Sequence, residues 1–411
     1  MTSVAGTKVR LAYLVSHPIQ YQAPLLRRIA QEPDIDLTVF FGSDFSVRGY
    51  KDEGFGVEVE WDVPLLEGYR SEFLPKLRDT GGVSPSSPIN RGIYRRLRTS
   101  DGSPAFDALW IHGYASINSL QAIFAANALG IPVLLRAESW LADRSRSPLK
   151  LAIKSFIFND LKNLIAATLP IGSVNARYWR HYFSHKMPQF LMPYAVDNPF
   201  FARRAEEAAT SDEQLRSDLN LEPGQPVILF ASKLQKRKHC DHLIEAYNLL
   251  LRNHETSGFR PYLVIVGNGE ERENLEARCR DLGLTNVRFT GFQNQSELPR
   301  YFRLADIFVL PSRHEPWGLI VNEAMAAGCP VIVSSDVGSG PDLVTDGIEG
   351  YIYPVGDIPA LTRALGRVLA SPEVASTMGE AARRRIAGWS FEEDIQGLRR
   401  ALAYTTRKLH A

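Results

Sequence analysis

The sequence of 411 residues predicts an α/β protein with two doubly wound, Rossmann-like parallel-sheet domains that face each other across a cleft. Short apolar strands alternate with helical stretches throughout, a pattern typical of parallel sheets that carry helices on both faces. The length also exceeds what one ordinary hydrophobic core accommodates. A polar stretch punctuated by Pro and Gly, at 201–225, separates two such series and predicts an inter-domain linker.

The first domain is predicted over residues 1–200. Its strand candidates are VRLAYLV, DLTVFF, DALWI, PVLLR and LIAATLP, with helical stretches such as PLLRRIAQ and SLQAIFAANALG between them. Residues 42–104 contain much Gly, Pro and Ser, which predicts loops and short strands there.

The second domain is predicted over residues 226–388, from the strand candidates PVILFAS, PYLVIVG, NVRFTG, DIFVLP, PVIVSS and GYIYP. Residues 389–411 predict a terminal helix, since Ser390 suits its N-cap and Glu392 and Glu393 suit its first turn. We expect this helix to pack back on the first domain. Ligands of such sheets bind at the carboxyl ends of the strands, so the chemistry is expected in the loops that follow them.

The bulk composition excludes several classes of protein. With 45% hydrophobic residues, 23% charged residues and a net charge of +1, nothing indicates a nucleic-acid partner. The three cysteines lie far apart without CxxC spacing, which predicts neither a disulfide scaffold nor a zinc site. No apolar run approaches the roughly 18 residues of a membrane span, and the start lacks a signal-peptide pattern. We therefore expect a cytoplasmic protein.

The charge is nevertheless uneven along the chain. Residues 80–190 hold 13 Lys and Arg against 5 Asp and Glu, a local net charge of +8 that leaves −7 for the rest. Two interpretations stay open: a solvated face, or a surface for an anionic substrate or anionic lipid at the inner face of a membrane.

The most informative stretch is ADIFVLPSRHEPWGLIVNEAMAAGCPVIVSSDVGSGPDLV, at 305–344. Glu315 lies in a loop after a buried strand, and Glu323 lies inside the helix that begins near Gly318. Eight helical positions span about 12 Å, a reach that suits an extended ligand. Carboxylates accept hydrogen bonds from vicinal hydroxyls, and the free N–H groups of a helix start bind anions. The alternative is an amphipathic helix with two solvated glutamates.

Two further loops of the second domain carry candidate ligand-binding groups. FASKLQKRKHCDHLIEAY, at 230–247, places Lys233 and Lys238 before a helix, where they would oppose a diphosphate; the alternative is a solvated basic turn. VIVGNGEE places Gly267 at a strand end, where a backbone can approach a ligand closely.

Together these phrases resemble the retaining GT-B glycosyltransferases of family 4, the glycosyl transferases group 1. The resemblance is dense over 226–357, where the E-x7-E phrase, GNGE, FTGF and DVGSGPDLVTDGIEGYIYPVGD occur in the family's order. It implies transfer of a hexose from a nucleotide-diphosphate-sugar, most simply UDP- or GDP-linked, to an acceptor hydroxyl. The resemblance further implies a role in polysaccharide, glycolipid or glycoconjugate synthesis. The reaction would need neither a bound metal nor a cofactor other than the donor.

The resemblance also implies residue roles. Glu323 would hold the donor ribose, Glu315 would contact the donor sugar, and Lys233 and Lys238 would hold the diphosphate. The backbone of further positions would meet the phosphates or the base: Gly267, Gly291, Phe292, Gly318 and Leu319. The family usually has arginine where this chain has Lys233, and lysine lacks the planar fork of arginine.

The first β–α turn, SHPIQY, contains no glycine, although many relatives carry a glycine pair there. Its polar and aromatic side chains, His17, Gln20 and Tyr21, suit a hydroxylated acceptor; His17 before Pro18 is alternatively a plain helix-start feature. Two more acceptor-side candidates end strands of the same domain. His112 is a predicted catalytic residue or a structural histidine, and Glu138 contacts the acceptor or pairs with Arg136.

Residues 144–165 combine basic residues with Phe156, Ile157 and Phe158, and residues 91–98 read RGIYRRLR. They predict either a membrane-facing patch, which would suit a lipid-linked acceptor, or an ordinary packed helix.

Other activities stay open beside transfer. A nucleotide-sugar epimerase or a phosphorylase can use the same fold, although the lysine that anchors a phosphorylase's pyridoxal cofactor has no evident counterpart. A non-catalytic nucleotide-sugar-binding protein would bind the donor without turnover.

Overall fold

The computed structural model describes residues 8–141, 154–155, 158–253 and 259–406. The chain forms two compact units, each with a six-stranded parallel sheet in the described residues. Unit 1 comprises Met1–Tyr50, Val63–Tyr194 and Phe391–Ala411, and unit 2 comprises Lys51–Asp62 and Ala195–Ser390. The predicted α/β class with two parallel sheets is confirmed.

The sheet of unit 1 contains every strand predicted for the first domain. The strands in the first half of the chain, which include two short pairs outside this sheet, are, in chain order, β1 Val9–Val15, β2 Ile35–Phe41, β3 Tyr50–Asp52, β4 Val57–Val59, β5 Arg70–Phe73, β6 Lys76–Arg78, β7 Ile89–Asn90, β8 Ala108–His112, β9 Val133–Arg136 and β10 Ala167–Thr168. The sheet order is β10-β9-β8-β1-β2-β5, while β3 pairs with β4 and β6 with β7. The apolar runs are buried on both faces because helices cover the sheet.

The helices of unit 1 lie between these strands. They span Ala23–Ala30, Ile93–Arg96, Ile117–Ala128, Ser173–Phe183 and Phe391–Thr406. The terminal helix, predicted over 389–411, packs within unit 1 on the same core as β1 and β2. Its Asp394 is buried and lies 3.2 Å from the Arg136 guanidinium at the end of β9. Burial raises the pKa of Asp394 to about 6, against the attraction of Arg136.

The sheet of unit 2 contains the strands predicted for the second domain. They are β11 Val227–Ala231, β12 Tyr262–Val266, β13 Val287–Gly291, β14 Ile307–Leu310, β15 Val331–Ser334 and β16 Gly350–Tyr353, in the order β13-β12-β11-β14-β15-β16. The helices span Asn198–Ala208, Asp212–Asp218, Cys240–Asn253, Arg272–Asp281, Leu298–Leu304, Leu319–Ala326, Gly340–Leu343, Ile358–Val368 and Pro372–Ala387.

Two segments differ from the predicted boundaries. Residues 201–225, predicted as a linker, are largely helical and belong to unit 2. Their charged sequence hides a narrow apolar stripe, because Phe201, Ala205 and Leu215 are buried. Residues 51–62, which interrupt unit 1 in sequence, also belong to unit 2. None of the helices in the described part of the chain is long and apolar enough to cross a membrane.

Candidate functional site

The residues predicted to bind the donor gather where the strands of unit 2 end. Lys233 follows β11, Gly267 follows β12, Gly291 ends β13, and Glu315 follows β14. Because these strands are parallel and adjacent, their carboxyl ends meet at one edge of the sheet. The sequence therefore places these groups on one edge through the order of its strands.

The turn at Gly267 tolerates no side chain. Its φ is 133°, and a Cβ there would lie 1.9 Å from the carbonyl oxygen of Ser232. Hydrogen bonds tie the turn to its neighbours: Gly267 N–H donates to the Gly291 carbonyl (2.8 Å), and Leu234 N–H donates to the Asn268 carbonyl (2.8 Å). The loops after β11, β12 and β13 thus form one backbone-linked surface.

The Glu315 loop is held by the segment after β15. Glu315 N–H donates to the Asp336 carbonyl (3.1 Å), and Gly338 N–H donates to the Glu315 carbonyl (2.9 Å). A Cβ at Gly338 would meet the Pro316 carbonyl oxygen at 2.0 Å, so the close approach of the two segments requires glycine there. The Arg313 N–H also donates to the Arg237 carbonyl (2.7 Å), which links this loop to the cationic loop.

Lys238 and Glu315 form an ion pair that is almost completely shielded from solvent. The Lys238 ammonium donates to Glu315 Oε2, and Arg237 lies 3.7 Å from the same oxygen. Burial lowers the pKa of Lys238, and the attraction of Glu315 opposes that shift. The two loops therefore place a cation and a carboxylate side by side at the carboxyl edge of the sheet.

Glu323 is the most unusual carboxylate of unit 2. It is 8% exposed on the helix Leu319–Ala326, and its Oε2 has no hydrogen-bond partner among the residues that the structure describes. Burial raises its pKa to about 8. A buried, unpaired carboxyl group costs stability unless a ligand satisfies it, so this arrangement favours a binding role.

The helix that carries Glu323 begins with an open N-terminus. Gly318 is its N-cap, with a left-handed φ of 87°, and no side chain caps the first turn. A Cβ at Gly318 would lie 3.0 Å from Leu310 and 3.3 Å from Glu315. The N–H group of Leu319, at the start of the first turn, can bind an anion at this end.

Lys233 has a partner that the sequence analysis did not anticipate. Its ammonium donates to both carboxylate oxygens of Asp52, at 2.7 and 2.9 Å, within unit 2. It also lies 4.8 Å from the centre of the Phe55 ring, which in turn lies 4.8 Å from the Phe292 ring. Lys233 and Lys238 therefore occupy different ion pairs.

In unit 1, three of the predicted acceptor-side residues meet in one hydrogen-bonded cluster with Tyr194. The Tyr21 hydroxyl donates to Glu138 (2.9 Å), and the Tyr194 hydroxyl donates to the same oxygen. Tyr194 also lies 3.2 Å from Nε2 of His112. Burial opposes ionisation of Glu138, but hydrogen bonds from His112 and the tyrosines lower its pKa to about 2.

A second set of contacts orients His112. Gln22 Oε1 accepts from the Tyr13 hydroxyl (2.7 Å), so the Gln22 amide nitrogen faces His112 Nδ1 at 3.1 Å. Nδ1 then accepts, and Nε2 carries the proton toward Tyr194 and Glu138. The alternative pairing of Glu138 with Arg136 is wrong, because Arg136 pairs instead with Asp394 and with the Met192 carbonyl.

His17 and Gln20 lie on the neighbouring turn rather than in this cluster. His17 bonds to Ser16 (2.9 Å) and packs on the Phe45 ring at 4.5 Å. Burial, and then His112, lower its pKa to about 4, so it is neutral at pH 7. Gln20 is partly exposed. Beside the turn, a cavity of about 360 Å³ lies between Ser16, His112 and residues 83–88.

Sequence reasoning missed several of these groups. Tyr194 lies in LMPYAVD, a buried stretch without regular secondary structure, and no motif singled it out. His314 precedes Glu315 and has a left-handed φ of 57°, a conformation that non-glycine residues adopt rarely. His239, Asp241 and His242 offer ligand atoms within 4.8 Å of one another and are a candidate cation site. Metal independence therefore stays a prediction.

The predicted membrane patch is described only in part. Phe156 and Ile157 lie outside the described residues. Phe158 is 2% exposed and packs against Tyr178 and Phe183 in the core of unit 1, as the packed-helix alternative predicts. In the segment 91–98, by contrast, the Arg side chains and Tyr94 are exposed.

Comparisons with known proteins agree with the motifs of unit 2. Residues 211–385 match the family model of glycosyl transferases group 1. A GDP-mannose-dependent alpha-(1-6)-phosphatidylinositol monomannoside mannosyltransferase from Mycolicibacterium smegmatis is 34% identical over 226 residues, which cover 51% of this chain and 56% of that protein. The chain spans about half the length of several curated relatives that it matches.

Solved structures resemble almost the whole chain. Anabaena HepE, crystallised with UDP, is 16% identical with a TM-score of 0.72, covering 97% of this chain and 100% of its own. Sucrose-phosphate synthase from Thermosynechococcus elongatus is 19% identical with a TM-score of 0.68, covering 98% and 100%. These likenesses show the fold. Residues 211–385 are therefore similar to the glycosyl transferases group 1 family, in a chain whose fold is of the GT-B class.

Proposed function

We propose that this protein is a retaining glycosyltransferase that moves a hexose from a nucleotide-diphosphate-sugar to an acceptor hydroxyl. The observation that carries the proposal is the carboxyl edge of the unit 2 sheet. There, a shielded Lys238–Glu315 pair lies on loops next to an open helix N-terminus, and Glu323 lies on that helix with an oxygen that no group of the described residues satisfies. This set offers cations and N–H groups for a diphosphate, and carboxylates for hydroxyls.

The chemistry would proceed at the bond between the sugar and the diphosphate. Lys238, and Lys233 when released from Asp52, would stabilise the negative charge that develops on the departing diphosphate. Glu315 would orient the sugar, and the acceptor would attack from the face that the leaving group vacates. The departing phosphate would take the acceptor proton, and attack from that same face would retain the anomeric configuration.

The donor is proposed to carry UDP or GDP. The names of the relatives favour neither, because the mannosyltransferase relative is GDP-mannose-dependent and HepE was crystallised with UDP. We propose that the reaction needs neither a metal nor any cofactor besides the donor, since side-chain cations and helix N–H groups can neutralise the diphosphate.

A thermal-shift panel of UDP, GDP, ADP and their sugars tests the donor site. A selective stabilisation by one base is expected, followed by transfer that keeps the anomeric configuration, measured by NMR. Conversion of the donor without an acceptor would instead indicate an epimerase. Binding with neither transfer nor slow donor hydrolysis would indicate a non-catalytic sensor, and no shift with any nucleotide would contradict the proposal.

The acceptor is proposed to bind at the Tyr21–Glu138–Tyr194 cluster of unit 1. Glu138→Gln removes the charge that accepts both tyrosine hydrogen bonds, so we expect acceptor KM to rise about 10-fold. Donor hydrolysis without acceptor should stay within 2-fold, and Glu67→Gln, which changes an exposed glutamate of unit 1, should leave both values unchanged. An unchanged acceptor KM would remove Glu138 from the site.

We further propose that unit 1 contacts an anionic membrane that presents a lipid-linked acceptor. The short helix Ile93–Arg96 packs on the helix Ile117–Ala128, which exposes Ile117, Leu120 and Phe124 beside the arginines of 91–98. Sedimentation with vesicles rich in anionic lipid should exceed sedimentation with neutral vesicles. Equal sedimentation with both would contradict this contact and the expected peripheral cytoplasmic location.

A further inference from the structure

A hairpin of unit 2, residues 51–62, comes from the first half of the chain. It contains the strand pair β3–β4 and a tight turn between the strands. The turn closes on Asp52, whose Oδ1 accepts from the N–H groups of Gly54 (2.8 Å) and Phe55 (2.9 Å). The Asp52 carboxylate is therefore held in place by its own backbone.

The Asp52 carboxylate accepts hydrogen bonds from Lys233, one of the two lysines predicted to bind the diphosphate. Its two oxygens lie 2.7 and 2.9 Å from the Lys233 ammonium, and only 12% of the Asp52 side chain is exposed. The contact leaves no room for a side chain at position 54, where a Cβ would lie 2.6 Å from the Lys233 stem. Two oxygens that share one ammonium present the same chemistry as a phosphate group.

The rest of the hairpin covers the other predicted donor contacts. The Gly54 carbonyl lies against the glycine turn, 2.9 Å from where a Cβ of Gly269 would stand. Phe55 and Trp61 pack on Phe292, with ring centres 4.8 and 6.4 Å apart. The far end of the hairpin is anchored to the loop after β13, because the Asn294 side-chain amide donates to the Glu60 carbonyl (2.6 Å).

One short segment thus contacts the cationic loop, the glycine turn and the proposed base-contacting residue. We infer that the hairpin 51–62 is an intramolecular competitor of the nucleotide, in which Asp52 occupies the place of the diphosphate and Phe55 packs against Phe292. The inference rests on the proposed donor site. The hairpin belongs to unit 2 and covers the site in a fraction of the molecules at any time. The apparent donor affinity is therefore the intrinsic affinity multiplied by the fraction of molecules that is uncovered.

Asp52→Asn tests the competition directly. Asparagine keeps the shape of the turn but loses the charge that holds Lys233, so UDP or GDP should bind about 5- to 20-fold more tightly by calorimetry. Glu58→Gln is the matched control, since it removes one negative charge from the exposed face of the same hairpin. Its affinity should stay within 2-fold of the wild type.

A second variant and a fluorescence measurement test the same inference independently of Asp52→Asn. Phe55→Ala should also tighten nucleotide binding, and circular dichroism verifies that both variants are folded. Trp61 reports displacement: the nucleotide should change the fluorescence of the wild type but leave Trp61→Phe, measured in parallel, with a smaller change.

Three results would overturn the inference. Unchanged or weaker nucleotide binding by both Asp52→Asn and Phe55→Ala would make the hairpin a part of the binding site or mere packing, while the donor site itself stands. Trp61 fluorescence that does not change when the nucleotide is added would show that the nucleotide does not displace the hairpin. If neither the wild type nor Asp52→Asn binds any nucleotide, the proposed donor site fails and the competitor with it.

Discussion

Glu323→Gln is expected to weaken nucleotide binding about 10- to 100-fold while making the protein more resistant to unfolding above neutral pH. The carboxyl group is neutral when the site is empty, but two hydroxyl donors from the nucleotide would favour its carboxylate form, and the affinity falls because the amide accepts at one atom only. The stability rises because the buried carboxyl of Glu323, whose Oε2 has no hydrogen-bond partner within the described part of the chain, no longer needs to ionise.

The sign of the pH dependence follows from the raised pKa of Glu323, about 8 against an ordinary value of 4.5. Below pH 4.5 the group is protonated in the folded and unfolded states alike, and its favourable contribution is complete. As the pH rises toward 8, only the unfolded state releases the proton, so stability is lost, on the order of 3 kcal/mol between pH 5 and 8.

Thermal melts at both pH values check this expectation. The Tm advantage of Glu323→Gln over the wild type should widen from pH 5 to pH 8, whereas the exposed Glu380→Gln should show no such trend. A constant difference across the range would mean that Glu323 is not neutral when buried, and unchanged nucleotide affinity would remove it from the donor site.

Lys238→Met should lower turnover about 100- to 1,000-fold with little change in fold. Methionine keeps the length of the stem but removes the buried cation that is proposed to stabilise the leaving diphosphate. It also leaves the Glu315 carboxylate with Arg237 at 3.7 Å as its remaining cation among the described residues.

Lys236→Ala is the matched control, because Lys236 is exposed on the same short helix and should leave kcat within 2-fold. Glu315→Gln combined with Lys238→Met should cost much less than the sum of the two single effects, since the residues act as one pair. Turnover of Lys238→Met close to that of the wild type would rule out this role.

The strand pattern could be predicted because it is local. Apolar runs such as VILFA and YLVIV specify buried parallel strands wherever their partners lie, and strand order then brings Lys233, Gly267 and Glu315 to one edge. The glycines of the site were also recognisable, since a Gly at a strand end signals close backbone approach.

Pairings between distant segments could not be predicted. Asp52 and Lys233 are 181 residues apart, and Arg136 and Asp394 are 258 apart, so no spacing rule connects them. The helices within 201–225 were missed for a different reason. Three buried apolar residues among many charges give a weak 3.6-residue period, and the flanking Pro and Gly outweigh it.

The ion pair between Arg136 and Asp394 has a consequence for biosynthesis. The 16 residues Phe391–Thr406 leave the ribosome only after Ala195–Ser390 have been made, yet they supply the carboxylate that neutralises a guanidinium buried in β9. During translation, the Arg136 guanidinium therefore lacks its carboxylate partner until the last helix has been made. A nonsense mutation at codon 391 would leave unit 2 complete, but unit 1 would lack its last helix and would be bound by chaperones or degraded by proteases.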